Sequence, residues 1–548
     1  MNIKSKKVGI LGFAFVFLLA LIPCITDRLY FFAVDDYLIN LTAQGAYGTE
    51  LSQYLIFNNI LLGYLIKIFY LAVPAINWYP LFQVISIIFA FSVINSSLFK
   101  ISSNKVFILL ISGLLEMLVV YHLTFTVVSY VCGGAGIVNL ICAVWKQKKG
   151  KKLYVKRIIP FFLLILLGDF WREGTVATAA VAFLPLIILC IMKKREILGA
   201  FILTVFILAG IRLCDDLLYS SNVWEKYETF NTVRSQVLDY DHADYNEYRE
   251  EFDKIGLSEN DVNCLYQWIF ADKNVYSESV MEEIVGMQNV TERYNFNLFD
   301  ILVSMFHQKY NYWFFAVILL SLLLNRRMWG INILIALCTY SLIAALYFRE
   351  RAVDRVMIPI YLMGIFALIV QVCLQKVDDN ININIFRLFY IALPIVLFVS
   401  GIWMLRKNNN VLEATNKEKL EEYKVVYNYI NQNSEYLYCG SSRIINDLSY
   451  SVDIFSVGEN IDAFQLAKLG SWDIYSERYY RQVDSYNIEN RDSLLLALTE
   501  NDKVLFISNS ENDTKLVKKY LEEHFDNGLI TVVRKEFDET DTKIIEFR

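Results

Sequence analysis

The amino-acid sequence predicts an α-helical polytopic membrane protein with a C-terminal α/β domain outside the bilayer. Three observations carry that expectation. Apolar runs close to the ~20 residues that cross a bilayer recur through the first 405 residues. Lysines and arginines gather between those runs, as the energetics of insertion demands. Beyond residue 405 the pattern changes to short apolar strands and amphipathic helices. The 548 residues are 56% hydrophobic, with mean hydropathy +0.38.

In chain order, spans are expected at about 8–25, 79–99, 106–122, 124–145, 158–171, 174–192, 197–213, 312–325, 329–347, 355–375 and 386–405. Lys4, Lys6 and Lys7 precede the first, and no small-x-small cleavage site precedes Asp27, so it reads as a retained signal anchor. The basic run from Lys146 to Arg157, the group Lys193 to Arg195 and the pair Arg326–Arg327 mark the cytoplasmic face, and Lys100 and Lys105 agree. These landmarks share a face with the N-terminus only if residues 51–73 do not cross. That oily stretch is interrupted by Asn58, Asn59, Gly63 and Lys67, which suits a segment lying on the outer leaflet. About eleven transmembrane helices follow, with the N-terminus cytoplasmic and the C-terminus outside.

The outer loops are then 26–78 and 214–311, and residues 406–548 form the extracytoplasmic domain. Amphipathic helices are expected over 227–238 and 258–272, the second opened by a Ser258–Asp261 capping box. In the tail, a helix near 413–432 leads to a strand at 436–439. Helical stretches near 460–468 and 490–500 precede a strand at 504–507, a helix at 511–525 and strands at 529–535 and 542–547. No GxGxxG or P-loop supports nucleotide binding. Net charge is −6, and its acidic excess in 215–300 and 411–548 argues against nucleic acid or anionic lipid as a partner there. Nine cysteines without CxxC or metal-like spacing give no disulfide framework. His122 and His307 read as structural, and Asn289-Val290-Thr291 as a chance glycosylation match.

Asp35 and Asp36 stand ten residues past Ile25, the outer end of the first apolar run. A bare acidic pair beside a bilayer is costly unless it has a task. This threading places Asp169, Arg172, Glu173, Arg349, Glu350, Arg351, Asp354 and Arg355 on the same face. A carboxylate in reach of a hydroxyl can take its proton as bonding develops, while arginines neutralise a departing phosphate. Repulsion within the pair is expected to raise one carboxyl's pKa. The pair also suits a divalent cation, Mg or Mn, through hard oxygen ligands. Each group has a plainer use: solvating a helix end, closing a loop ion pair or anchoring at the interface.

The pattern resembles GT-C-type membrane glycosyltransferases, the group that includes protein O-mannosyltransferases and aminoarabinose lipid A transferases. Asp35-Asp36-Tyr37 stands where their acidic pair follows the first span, and Gly45-Ala46-Tyr47-Gly48 resembles the turn after it. Residues 54–80, ending in Asn77-Trp78-Tyr79-Pro80, resemble their juxtamembrane stretch. Asp354-Arg355-Val356-Met357-Ile358-Pro359 resembles the signature that opens a late span. The resemblance implies a GT-C-like fold, a polyprenyl-phosphate sugar donor and inverting transfer. It implies Asp35 as base, with Asp36 as its partner. Where the group often carries Lys-Pro, this chain holds Asn58-Asn59, with Lys67 further along. Arg172, Arg351 and Arg355 are therefore expected to bind the donor phosphate beside those three residues.

The expected function is transfer of a sugar to a glycan or glycolipid of the cell envelope, at the outer face of a bacterial plasma membrane. A flippase or transporter of lipid-linked glycan is the alternative, and a polymerase a nearer one. A transporter should carry charges at mid-bilayer, and among spans two to four only Glu116 does so.

Overall fold

The computed structural model describes residues 3–47, 50–102, 104–147, 155–240, 242–290, 298–324, 328–349, 351–374, 383–449, 452–455, 463–525 and 528–548. Apolar runs become helices because, away from water, a helix satisfies every backbone group within one segment. The helices are α1 (Ile3–Thr26), α2 (Val34–Gln44), α3 (Ile60–Ala72), α4 (Trp78–Leu98), α5 (Lys105–Tyr121), α6 (Phe125–Trp145), α7 (Ile159–Trp171), α8 (Thr175–Ala182), α9 (Leu184–Lys193) and α10 (Ile197–Leu218). Then follow α11 (Asn222–Leu238), α12 (Arg249–Lys254), α13 (Glu259–Tyr266), α14 (Glu278–Val290), α15 (Leu298–His307), α16 (Lys309–Leu324), α17 (Trp329–Phe348), α18 (Asp354–Cys373) and α19 (Ile383–Glu422). A helix occupies each of the eleven expected positions. Among the described residues, α4, α6, α10, α17 and α18 are long and apolar enough to cross a membrane. The pair α8 and α9, bent by 77° at Phe183 with Pro185 following, makes a sixth if counted as one. The chain is a helical membrane protein with a small sheet at its C-terminal end.

Helix α6 is the axis of the bundle, buried along its length and packed by α4, α7, α8 and α18. Helix α7 sits so close that a side chain at Gly168 would strike the Ser129 carbonyl, so only glycine fits there. By contrast α10 leaves Leu203, Phe206 and Leu213 exposed, as a lipid-facing helix does. Basic residues gather at one end: Lys193 Nζ bonds the Trp145 carbonyl at 3.0 Å, and Arg157 bonds Gln147 at 2.9 Å. At the other end Arg406 pairs with Asp27 at 2.7 Å, tying α19 to the end of α1. Lys148, Lys149, Lys151, Lys152, Arg326, Arg327, Glu350 and the Asn289-Val290-Thr291 match lie wholly or partly outside the described residues.

Helix α19 does not stop at residue 405 but runs into the C-terminal unit. There follow α20 (Lys424–Gln432), β1 (Leu437–Gly440), α21 (Ser442–Ser449), β2 (Leu466–Lys468), α22 (Glu477–Ser485), α23 (Leu494–Glu500), β3 (Val504–Ser508), α24 (Glu511–His524), β4 (Thr531–Phe537) and β5 (Thr542–Phe547). The sheet order is β2-β1-β3-β5-β4. The first three strands are parallel, and β5 runs antiparallel to both of its neighbours. Side chains alternate as a pleated strand requires. Leu437, Cys439, Phe506 and Ile545 face one core, while Tyr438, Leu505, Ile507 and Ile544 face Val426, Ile430 and Ile445 on the other.

The first of those cores is shared with the 214–311 loop: Phe230, Val237, Leu265, Met281 and Ile284 pack into it. Loop and tail therefore form one body rather than a domain at 406–548 alone. This also shortens the helix expected over 258–272. It ends at Tyr266, behind the Ser258–Asp261 capping box, because Ile269 to Asp272 turn to meet the tail. Phe270 N bonds the Leu469 carbonyl at 2.8 Å, and Asp272 bridges Ser493. A side chain at Gly470 would overlap the Trp268 carbonyl. Gly470→Ala is accordingly expected to destabilise this body by about 1–3 kcal/mol, read as a lower melting temperature; an unchanged melt would show that the two segments dock loosely.

Candidate functional site

Residues 27–33 turn the chain over the C-terminal end of α1 and deliver Asp35 and Asp36 to the first turn of α2, where the helix dipole favours anions. Neighbours on a helix point about 100° apart, so the two carboxylates diverge. Asp36 is fully buried. Its Oδ1 accepts hydrogen bonds from Gln83 Nε2 (2.7 Å), Tyr79 OH (3.0 Å) and the Phe125 backbone N–H at the start of α6 (3.0 Å). Burial pushes its pKa up to about 7 against the pull of those donors, and Asp35 adds the smallest contribution. Burial, not repulsion within the pair, is thus the main cause of the raised pKa. Asp36 joins α2, α4 and α6 and holds the turn that presents Asp35.

Asp35 meets Arg355 from the first turn of α18 in an ion pair, across 320 positions of sequence. The Arg355 side chain remains about a third exposed, so the pair can be reached. Arg172, at the end of α7, donates to Thr126 Oγ1 at 2.6 Å and lies 5.4 Å from the centre of the Phe125 ring. Burial lowers its pKa first, and Arg355 and Arg351 add to that while Asp35 opposes it, so these groups feel one another. Arg351 is held by Asp239 at 2.7 Å, with its guanidinium 5.2 Å from the Tyr240 ring.

Two cations that the sequence analysis did not single out join the group. Arg234 of α11 is buried, with its guanidinium 3.7 Å from Asp239 and an Nη1 that makes no hydrogen bond among the described residues. Lys468, at the end of β2, has a pKa pushed down to about 8, first by burial. Both interact electrostatically with Asp35. A signal for Arg234 was present: it lies among Phe230, Val233 and Val237 on the apolar face of an amphipathic helix. Lys468 gave none, since its segment read as helical.

The remaining expected residues sit elsewhere. Asn58 Nδ2 bonds the Trp171 carbonyl at 2.7 Å, and Asn59 caps α3 by accepting from Leu61 N at 3.0 Å. The Asn58 side chain and the Asn59 backbone N–H, which bonds the Phe170 carbonyl at 2.9 Å, clip the start of α3 to the end of α7. Lys67 Nζ bonds Gln53 Oε1 at 2.9 Å and lines a separate cavity that Asp35 does not border. For a divalent cation, Asp36 has its Oδ1 engaged by three donors and its Oδ2 without a hydrogen-bond partner among the described residues, while Asp35 is paired with Arg355. His122 Nδ1 and His307 Nδ1 each lie within hydrogen-bond distance of a carbonyl one turn back, Leu118 and Val303, as structural histidines do. No known protein family matches the chain, and no curated protein matches it.

Proposed function

We propose that this protein is a membrane glycosyltransferase that moves a sugar from a polyprenyl-phosphate carrier to a cell-envelope glycan or glycolipid, at the outer face of a bacterial plasma membrane. The reading takes all eleven positions as crossings, α8 and α9 together making one, with the N-terminus cytoplasmic and the α/β body outside. The observation that carries it is the meeting of Asp35 with Arg355, with Arg172, Arg234, Arg351 and Lys468 around them. A carboxylate paired with a reachable arginine, beside further cations of which Arg351 and Arg234 share Asp239, suits a hydroxyl that must lose a proton beside a phosphate that must be held.

In this mechanism the donor phosphate draws Arg355 away from Asp35 as it binds. Asp35 takes the acceptor's proton, the acceptor oxygen bonds to the sugar's anomeric carbon, and the bond from that carbon to the phosphate oxygen breaks. Polyprenyl phosphate leaves, neutralised by Arg355 and Arg172. Transfer inverts the anomeric centre because attack comes from the face opposite the phosphate. No metal is needed at Asp35, since arginines supply the positive charge.

Arg355→Ala is expected to raise the donor KM and lower kcat/KM about 10²-fold, measured by transfer from a polyprenyl-phosphate sugar in purified protein. Unchanged kinetics would remove Arg355 from the site. The flippase alternative rests on one observation: Glu116 is fully buried in α5, and among the described residues both its carboxylate oxygens lack partners. Under the transferase reading Glu116→Gln keeps envelope glycans intact in cells; under the alternative it removes them.

A further inference from the structure

A cavity of about 120 Å³ opens between the membrane helices and the outer body. Its membrane-side wall is α2 and the segment 50–56, its outer wall residues 472–481, and Trp224 of α11 completes it. Ile39 and Thr42 reach it four and seven residues after Asp35, on the same face of α2. Ile39 is therefore only about 6 Å along the helix axis from Asp35. Asp35 does not line the cavity but lies one turn of α2 before Ile39, and Lys468 of the cation group interacts with Asp473 and Arg478 of its wall.

The wall has the chemistry of a polyol site. Trp224 is buried against Tyr54 and Tyr227, at ring distances of 4.9 Å and 5.4 Å, yet among the described residues its indole Nε1–H has no partner. Asp473 is buried, its Oδ2 held by Arg478, and its Oδ1 has no partner among the described residues either. One unsatisfied donor and one unsatisfied acceptor on residues of the same wall, both just beneath its surface, suit hydroxyl groups that reach them as the wall adjusts, since a hydroxyl both gives and takes hydrogen bonds. Trp472, braced on Phe57 at 4.6 Å, offers apolar area for a sugar's C–H face. Lys67, Arg478 and Arg481 are balanced by Glu50, Asp473 and Glu477, so the wall carries no net charge to attract a phosphate.

We infer that this cavity is a binding site for a neutral glycan, which it feeds toward Asp35 as the acceptor. The acceptor role rests on the transferase reading; the glycan site itself does not. The test measures binding of cellotriose, chitotriose and mannotriose to the full chain in detergent by saturation-transfer NMR, with glycerol 3-phosphate as the anionic probe. At least one trisaccharide should bind. Trp472→Ala should weaken it about tenfold or more and Trp472→Phe restore most of it. Ser52→Trp, placed in the half-buried loop to fill the cavity, should abolish it. Asp35→Asn should bind as the wild type does. Binding of no trisaccharide, of glycerol 3-phosphate instead, or equally to the wild type and to folded Trp472→Ala and Ser52→Trp variants would overturn the inference. The two readings separate cleanly. Loss of transfer in Asp35→Asn with no trisaccharide bound leaves the transferase and removes the glycan site; trisaccharide bound with transfer unchanged does the reverse.

Discussion

Asp35→Asn is expected to lower the rate of sugar transfer by about 10²–10⁴-fold, the usual worth of a positioned general base. The substitution is close to isosteric, and its amide oxygen still accepts from Arg355, so the site keeps its shape while losing the atom that takes the proton. The pair with Arg355 is partly exposed on the arginine side. Its loss should therefore cost only about 1 kcal/mol of stability, so a fall in rate would not reflect unfolding. The check is single-turnover transfer by purified protein beside a thermal melt, with envelope glycans compared in cells. A wild-type rate in a normally folded variant would end the case for Asp35 as base and return the cluster to an ion-pair role.

Asp36→Ala should act through folding. It strips the acceptor from Gln83, Tyr79 and the Phe125 N–H, all in buried surroundings. Leaving such donors unsatisfied costs about 1–3 kcal/mol each, so a loss on the order of 3–9 kcal/mol is expected for the three. Asp36→Asn keeps an acceptor and should remain folded. The pH dependence identifies the cause. Burial raises the carboxyl from its ordinary 3.8 to about 7, so between those values the folded protein holds a proton that the unfolded chain releases. The resulting stability is complete below pH ~4 and is lost as pH rises through about 7. From pH 5 to pH 8 the wild-type melting temperature should therefore fall relative to Asp36→Asn, whose amide does not titrate. A difference between the two that stays constant with pH would show that Asp36 is not buried as described.

Part of this protein was legible in its residues alone. Helix positions in the membrane half follow from local hydropathy, because in an apolar medium each segment must satisfy its own backbone. Hence α4, α6 and α18 fall within a residue or two of the apolar runs at 79–99, 124–145 and 355–375. The Ser258–Asp261 box and the strand at 542–547 were equally local, a cap and an alternation read over a few positions. Asp35 and Arg355 stood out because charges that flank a bilayer are costly wherever they are placed.

Tertiary structure decided the rest. Strand β2, three residues long, exists through its pairing with β1, so its own residues read as helix. Asn58 and Asn59 resemble ligands in sequence, yet the approach of α7 engages them as clips. Arg234 and Lys468 approach Asp35 only because the loop and the tail share a core, a relation between segments more than 200 residues apart. The division of labour between Asp35 and Asp36 was likewise undetermined in the sequence. Adjacent residues have the same local context, and only the packing of α4 and α6 around α2 encloses one carboxylate and leaves the other facing an arginine.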